Sequence, residues 1–256
     1  MIEEILTKKL IKLRLENSER VINKYINILK HNFIKSLKEM IKKRKNFSLD
    51  FFKIDYDKEY KCVVAFSGGI DSSLSVLISK YLFDIDVVSC YSPVINDKNE
   101  IKEIGKKLNV KVKFIDIDLE DIYKEALLNR YHPCGRCHKL IENTVINYAK
   151  SVNANFIIFG DLLAFGNQSL YKIDNNLFRF NINSFFALTK NEEREILKNF
   201  NINVDKKYGC KMLEDYHTKN KSYKFTIQRI LREVRGRVIT PEEGYKNILE
   251  VLNYGR

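Results

Sequence analysis

A glycine turn in residues 61–73 separates an apolar run from a helical pattern, and its residue types are suited to binding phosphate. Residues 62–66 are apolar, as in a buried strand of a parallel sheet, and apolar residues recur at helical spacing from Leu74 onward. Gly68 and Gly69 permit backbone angles that other residues avoid, and the N-terminus of the following helix offers unpaired amides to an anion. Further donors are the hydroxyl groups of Ser67, Ser72 and Ser73. No lysine follows as in nucleotide-triphosphatase loops, so backbone and hydroxyl donors must hold the phosphate.

Three cysteines form a second group of residues that could bind a metal or react with a substrate. Cys134 and Cys137 have the C-x-x-C spacing with which two thiolates chelate one metal ion, in a loop opened by His132, and Cys210 lies in a second loop. A third ligand from a distant loop leaves a fourth metal position open, or filled by a histidine. The candidate histidines for a zinc site are His132, His138 and His217. A persulfide and disulfide relay through the same cysteines is a further alternative.

The turn Ser67-Gly68-Gly69-Ile70-Asp71-Ser72-Ser73 resembles the PP-loop signature S-G-G-x-D-S of the N-type ATP pyrophosphatases. Enzymes of this family cleave ATP between its α and β phosphates. The resemblance implies an adenine nucleotide α-hydrolase-like fold, with ATP and magnesium bound at the loop. It also implies that a carbonyl oxygen of the substrate is adenylated.

The cysteine pattern resembles a sulfur-transferring branch of the same family. A C-x-x-C before the fourth strand and a lone cysteine about 70 residues later are similar to tRNA 2-thiocytidine synthetase and to archaeal 4-thiouridine synthetase. Residues 160–169 look like the G-[ED]-x-L-x-x-x-x-x-Q-[ST] segment of the latter. The resemblance implies a [4Fe–4S] cluster on the three cysteines, with zinc as the alternative. Since only about 60 basic helical residues stand where 4-thiouridine synthetases carry a large RNA-binding module, it does not name the nucleoside.

The resemblance assigns roles to individual residues. The catalytic residues it implies are Asp71, Cys134, Cys137, Cys210 and Asp161, and the metal ligands are Cys134, Cys137 and Cys210. The nucleotide-binding residues it implies are Ser67, Gly68, Gly69, Asp71, Ser72, Ser73, Gly160 and Gln168. Away from these positions, Arg179 and Lys190 are candidates for neutralising phosphate, although surface ion pairs are their expected role.

Basic residues are concentrated at the two ends of the 256-residue chain, whose net charge is +12. Residues 1–46 carry 13 Lys and Arg against five Asp and Glu, residues 211–256 carry ten against six, and residues 47–210 carry 22 of each. The clusters are Lys42-Lys43-Arg44-Lys45 and Arg229, Arg232, Arg235 and Arg237. A neutral middle between basic flanks suits an enzyme that holds a polyanion, which favours tRNA as the partner.

The periodicity predicts a doubly wound parallel α/β sheet with helical extensions at both ends. The predicted strands cover 62–66, 86–91, 111–117, 155–159 and 177–182, and the predicted helices cover 72–83, 98–108, 120–129, 139–152, 190–199 and 241–253. We expect a basic helical extension over 1–60, broken at Asn17-Ser18, an ATP pyrophosphatase domain over 61–210, and a basic helical region over 211–256.

The sequence therefore predicts ATP-dependent sulfur transfer to a tRNA base, with sulfide or a persulfide protein as the sulfur donor. Alternatives are a sulfur insertase for a small nucleotide-like cofactor precursor, an amide or lysine ligase, and a non-catalytic RNA-binding or metal-sensing protein. No run of 18 apolar residues occurs and the first six residues do not resemble a secretory signal, so we expect a cytoplasmic protein without membrane contact. The sequence leaves a homodimer open.

Overall fold

A parallel sheet forms the centre of the computed structural model, which describes residues 2–204 and 208–254. The strands found there are β1 (Lys61–Ala65), β2 (Asp84–Tyr91), β3 (Val112–Asp116), β4 (Phe156–Phe159), β5 (Leu170–Lys172) and β6 (Phe178–Asn181). They lie in the order β3-β2-β1-β4-β6-β5, and all neighbours are parallel except β5, which pairs antiparallel with β6 at the edge. The doubly wound α/β sheet predicted from the sequence is confirmed.

Helices cover both faces of this sheet. Those in the described residues are α1 (Ile2–Lys24), α2 (His31–Lys45), α3 (Ile70–Leu82), α4 (Lys98–Lys107), α5 (Glu120–Leu127), α6 (Pro133–Ser151), α7 (Ile182–Phe185), α8 (Lys190–Asn199), α9 (Lys211–Asn220), α10 (Lys224–Arg235) and α11 (Pro241–Leu252). Side chains of β1 alternate between two apolar layers, because successive residues of a strand point to opposite faces. Cys62 and Val64 belong to the large cluster that includes α1, α2 and α3, whereas Val63 packs with Val145 and Ala149 of α6.

The predicted break of the first helix at Asn17-Ser18 is wrong. Helix α1 continues to Lys24, and α2 begins only at His31. Ser18 does not cap a helix, because it is buried and its hydroxyl donates to the carbonyl oxygens of Arg14 (3.2 Å) and Phe185 (2.7 Å). A buried serine that bonds the preceding turn of its own helix continues the helix instead of ending it.

The elements that carry the candidate residues meet at the carboxyl edge of the sheet. The glycine turn follows β1, and a second loop follows the parallel strand β4. Helix α6 leads into β4 through residues 152–155 alone, so it runs antiparallel to the strands and its N-terminal end lies at the same edge. Ligands of such sheets bind at this edge.

Candidate active site

The glycine turn is held open by hydrogen bonds of its own. Gly68 has φ +71°, a conformation that side chains disfavour, and Gly69 is the N-cap of α3. The Ser72 hydroxyl accepts from the amide of Ser67 (3.2 Å) and donates to the carbonyl of Gly69 (3.1 Å), so Ser72 shapes the turn. Ser67 is exposed, whereas Ser73 is fully buried beneath the turn. The amides of the first turn of α3 thus face the carboxyl edge without intrahelical acceptors.

The loop after β4 touches the first turn of α3 at Gly160. A Cβ atom at this position would lie 2.8 Å from the carbonyl carbon and 2.9 Å from the Cβ of Asp71. Asp161 is exposed and its Oδ1 accepts from the amide of Leu163 (2.8 Å). Gln168 lies farther along, on the 3-10 turn Gly166–Gln168, where its carbonyl accepts from Asn181 (2.6 Å). The absence of a side chain at Gly160 is therefore what allows the two loops to meet.

Asp71 is the centre of a charged network under the glycine turn. Lys190 forms an ion pair with Asp71 and lies 3.6 Å from the Glu193 carboxyl, which is fully buried. Asn183 Nδ2 donates to Glu193 Oε1 (2.6 Å) and to the carbonyl oxygen of Asp71 (2.9 Å), and Ser75 donates to Asn183 Oδ1 (2.9 Å). This buried arrangement fixes the position of Asp71 beneath the loop.

The pKa values of the two carboxyl groups of this network, Glu193 and Asp71, are shifted in opposite directions. Burial and the neighbouring Asp71 raise the pKa of Glu193 well above its usual value. Burial opposes ionisation of Asp71 as well, but Lys190 and a hydrogen bond with Glu193 hold its pKa below the usual value. The opposite shifts favour the neutral form of Glu193 and the ionised form of Asp71. The surface ion pair expected for Lys190 is wrong, since its partner is Asp71.

The three cysteines come together at two helix starts. Cys134 and Cys137 lie in the first turns of α6, not in a loop as predicted, because Pro133 begins the helix there. Cys210 is the N-cap of α9 and packs in the same apolar clusters as the other two. Burial raises the pKa of Cys134 to about 11 and that of Cys137 to about 12, and it also raises the pKa of Cys210. In the absence of a metal ion, all three are therefore neutral thiols at neutral pH.

Arg229 and Glu233 of α10 connect the cysteines to the glycine turn. Arg229 donates to Glu233 at 3.2 Å, and its charge favours the ionised forms of both Asp71 and Cys134. The Arg229 side chain is 47% exposed. Glu233 is in turn close enough to Lys190 and Asp71 for their charges to shift its pKa. Arg229 and Glu233 therefore lie near both the glycine turn and the cysteines.

The candidate histidines differ in their surroundings. Both ring nitrogens of His217 have partners, at 2.7 Å from the Ser222 carbonyl and 2.9 Å from the Thr226 hydroxyl. His132 also contacts the Thr226 hydroxyl, at 3.3 Å, and burial lowers its pKa to about 4. His138 is exposed, and the charges of Arg229 and Asp161 act on it. His138 therefore lies near these two charged groups, whereas His217 belongs to the core.

Part of the predicted basic surface is not available to a partner. Arg44 is fully buried, where it donates to the carbonyls of Phe186 (3.1 Å) and Ala187 (3.3 Å) and pairs with Glu192 (2.6 Å). The sequence cluster did not separate this buried arginine from the surface lysines beside it, because a packed helix and a solvated helix can both carry arginine at helical spacing.

The donor types at the cysteine site suit a thiolate-bound metal. Two helix N-termini and the Arg229 guanidinium favour negative charge on the thiols. Within residues 2–204 and 208–254, however, no three His, Cys, Asp or Glu side chains stand at the spacing of a formed metal site. In the same residues, no helix is long and apolar enough to cross a membrane.

Comparison with known sequences gives a relative that matches almost the whole chain. No family model matches. The uncharacterized protein MJ1638 of Methanocaldococcus jannaschii is 54% identical over 257 residues, which cover 99% of this chain and 97% of the relative. The tRNA-specific 2-thiouridylase MnmA of Campylobacter fetus subsp. fetus is 33% identical over 101 residues, or 32% of this chain and 28% of the relative.

Comparison with solved structures gives more distant likenesses. The NMN synthetase from Francisella tularensis has a TM-score of 0.44 at 16% identity, over 84% of this chain and 92% of that structure. The U34-tRNA thiolase NcsA from Methanococcus maripaludis, solved with its [4Fe-4S] cluster, also has a TM-score of 0.44, at 14% identity, over 86% of this chain and 77% of that structure. At these scores neither likeness carries an argument about function.

Proposed function

The chain belongs to the same family as the uncharacterized protein MJ1638 of Methanocaldococcus jannaschii, and on that premise we propose that it is a PP-loop ATP pyrophosphatase that thiolates a tRNA base. One observation carries the proposal. The Arg229–Glu233 ion pair lies near both groups: the charge of Arg229 acts on Asp71 of the glycine turn and on Cys134 of the cysteine group. The glycine turn and the partial sequence match to a tRNA-specific 2-thiouridylase support the superfamily.

In this function the glycine turn binds the phosphates of ATP. The amides of the first turn of α3 and the Ser67 hydroxyl hold the pyrophosphate portion, and Asp71 holds magnesium beside it. The carbonyl oxygen of the base attacks the α-phosphorus, the bond to the β-phosphate oxygen breaks, and pyrophosphate leaves. Sulfide from an external donor then attacks the activated carbon, and AMP departs with the former carbonyl oxygen. Adenylation thus converts a poor leaving group into a good one.

The cysteines would hold a metal group at the sulfur end of the site. Cys134, Cys137 and Cys210 would be its ligands, and an iron–sulfur cluster with one iron free of protein ligands would bind the sulfide. The raised pKa values of Cys134 and Cys137, near 11 and 12, favour metal ligation over a relay of free thiolates, because reactive cysteines have lowered pKa values. A metal ion displaces the thiol proton directly.

A small nucleotide-like acceptor is the second candidate. It is favoured by the burial of Arg44, which removes one cation from the surface expected to hold a polyanion. In this case the chemistry is the same and bulk tRNA is not bound. Strong, salt-dependent binding of tRNA separates the first candidate from the second.

The proposal is tested with full-length protein purified without oxygen and supplied with ATP, magnesium, sulfide and bulk tRNA. We expect AMP and pyrophosphate to form only when tRNA is present, together with thiolated tRNA that is retarded in a mercury-containing gel. Cys137→Ala should abolish thiolation, whereas Cys90→Ala, which removes a cysteine outside the proposed ligand set, should retain it. AMP formation that never depends on tRNA would overturn the tRNA assignment.

The metal assignment is tested separately, by the visible absorption and metal content of the same preparation. A cluster gives a broad band near 400 nm, with iron and acid-labile sulfide. This band should be lost in Cys134→Ala, Cys137→Ala and Cys210→Ala and kept in Cys90→Ala. A colourless protein that holds one zinc ion rejects the cluster and leaves the adenylation proposal standing.

A further inference from the structure

A pocket with two exposed arginines opens beside the loop that follows β4. It has a volume of about 340 Å³ and is lined by Leu163, Phe165, Arg232, Arg235 and Gly236. Arg232 and Arg235 are exposed and form no ion pair with any described residue. This arginine pocket therefore combines positive charge with an aromatic and an aliphatic wall.

A third arginine supports the pocket from behind. Arg14 of α1 is only 7% exposed, its guanidinium lies 3.8 Å from the centre of the Phe165 ring, and it donates to the carbonyl oxygen of Gly236. Its other terminal nitrogen, Nη1, is buried and has no hydrogen-bond partner among the described residues. Burial lowers the pKa of Arg14 to about 10, which still leaves it charged at neutral pH. A buried charge without a full set of partners is costly unless an anion comes near it.

The pocket is built from two elements that also carry candidate-site residues. One wall, Leu163 and Phe165, belongs to the loop that begins at Gly160, in contact with Asp71. The other wall belongs to the end of α10, the helix that carries Arg229 and Glu233. Glu233 is engaged with Arg229 at 3.2 Å and with the Tyr208 hydroxyl at 3.4 Å, so its carboxylate does not neutralise the pocket arginines.

We propose that the arginine pocket binds a phosphodiester group of the RNA substrate, next to the nucleotide whose base enters the active site. The inference rests on the proposed function and adds to it the place where the RNA backbone docks. Guanidinium groups match phosphate in geometry and charge, and an aromatic ring beside them stacks an unpaired base. A pocket that shares elements with the candidate site suits a segment that must also deliver one base there.

The test compares three full-length proteins in their binding to bulk tRNA over a range of salt concentrations. The pocket variant is Arg232→Gln/Arg235→Gln. The matched control, Lys107→Gln/Lys198→Gln, removes the same charge from exposed positions at the C-terminal ends of α4 and α8. These helices approach the glycine turn at their other ends, through Ile101 and Lys190.

We expect the pocket variant to bind tRNA roughly tenfold or more weakly at 0.15 M salt. The slope of log Kd against log salt should fall by about 0.7, the change expected for the loss of one phosphate contact. The control should keep the wild-type slope, and all three proteins should bind ATP equally. If the pocket variant and the control show the same slope of log Kd for tRNA against log salt, the pocket does not bind an RNA phosphodiester. The proposed function is not affected by that result. Failure of the wild type to bind tRNA at all, with AMP still formed on a small acceptor, overturns both the pocket and the tRNA assignment.

Discussion

At the residue scale, Gly160 is a position where adding a single methyl group should disrupt the nucleotide site. A Cβ there would lie 2.8–2.9 Å from the carbonyl carbon, Cβ and carbonyl oxygen of Asp71, so the backbone must shift. We predict that Gly160→Ala loses about 1–3 kcal/mol of unfolding free energy and most ATP affinity. Calorimetry of ATP binding and urea unfolding measure both.

The matched control is Gly135→Ala, within the C-x-x-C of α6. Apart from its chain neighbours and the backbone of its own helix, no heavy atom of the described residues lies within 4 Å of the Cβ that this change adds. Since alanine is favoured over glycine inside a helix by up to about 1 kcal/mol, Gly135→Ala should be at least as stable as the wild type and should bind ATP normally. A Gly160→Ala protein that also behaves like the wild type would mean that the two loops do not meet as described.

A second residue-scale prediction concerns the buried carboxyl of Glu193. Its pKa is raised well above the usual value by burial and by Asp71, so the folded protein holds a proton that the unfolded chain releases above about pH 4.5. Because folding requires this proton to be bound, the free energy of unfolding falls as the pH rises from about 4.5 to the pKa of Glu193 in the folded protein. In Glu193→Gln, which mimics the neutral acid, that loss should disappear.

We expect the stability difference between Glu193→Gln and the wild type to move in favour of the variant with rising pH, by up to about 1.4 kcal/mol per pH unit. Urea unfolding between pH 5 and 8 measures it. The exposed Glu195→Gln on the same helix is the control, and its curve should run parallel to the wild type. A parallel curve for Glu193→Gln would show that the carboxyl is not held neutral.

At the element scale, Arg44 joins the N-terminal helix α2 to α8, the helix that carries Lys190. It is fully buried and bonds Glu192 and the carbonyls of Phe186 and Ala187. Arg44→Met removes the buried donor of the Phe186 and Ala187 carbonyls, whereas Glu192 keeps its hydrogen bonds to Thr189, so the change should cost about 1–3 kcal/mol of unfolding free energy. Lys42→Met, two residues away and exposed, should cost little.

A double-mutant cycle of Arg44→Met with Glu192→Gln isolates the pair. Because the two side chains touch at 2.6 Å, the coupling energy should exceed about 0.5 kcal/mol. Simple additivity of the two single changes would contradict a direct contact between the helices at this point.

The same elements show what sequence patterns could and could not predict. The glycine turn, the order of the five parallel strands and the capped helix Pro241–Leu252 followed from local rules of backbone conformation and periodicity, whereas the short antiparallel edge strand β5 and helix α7 were not predicted. The burial of Arg44 and the pairing of Lys190 with Asp71 did not, because each partner lies more than 100 residues away in the chain. The sequence could have predicted the helix start at Pro133, because proline favours the first turn of a helix. This start places Cys134 and Cys137 in α6 instead of in a loop.

At the scale of the whole molecule, the N-terminal helices and the sheet share one apolar cluster. Phe33 and Leu37 of α2 are fully buried in the cluster that also contains Phe83 and Phe156 from the sheet region, and the Phe33 and Phe156 rings lie 5.4 Å apart. Residues 1–60 were predicted as a basic helical extension of the catalytic domain. The shared apolar cluster leads us to predict that both parts unfold together.

We therefore expect one cooperative transition, with coincident urea curves for far-ultraviolet circular dichroism and for the fluorescence of the 14 tyrosines, since the chain has no tryptophan. A variant that lacks residues 1–46 should fail to fold, because it exposes the apolar face of the sheet and α3 that α1 and α2 cover. Two separate transitions, or a truncated protein with native far-ultraviolet signal and ATP binding, would instead support an independent catalytic domain.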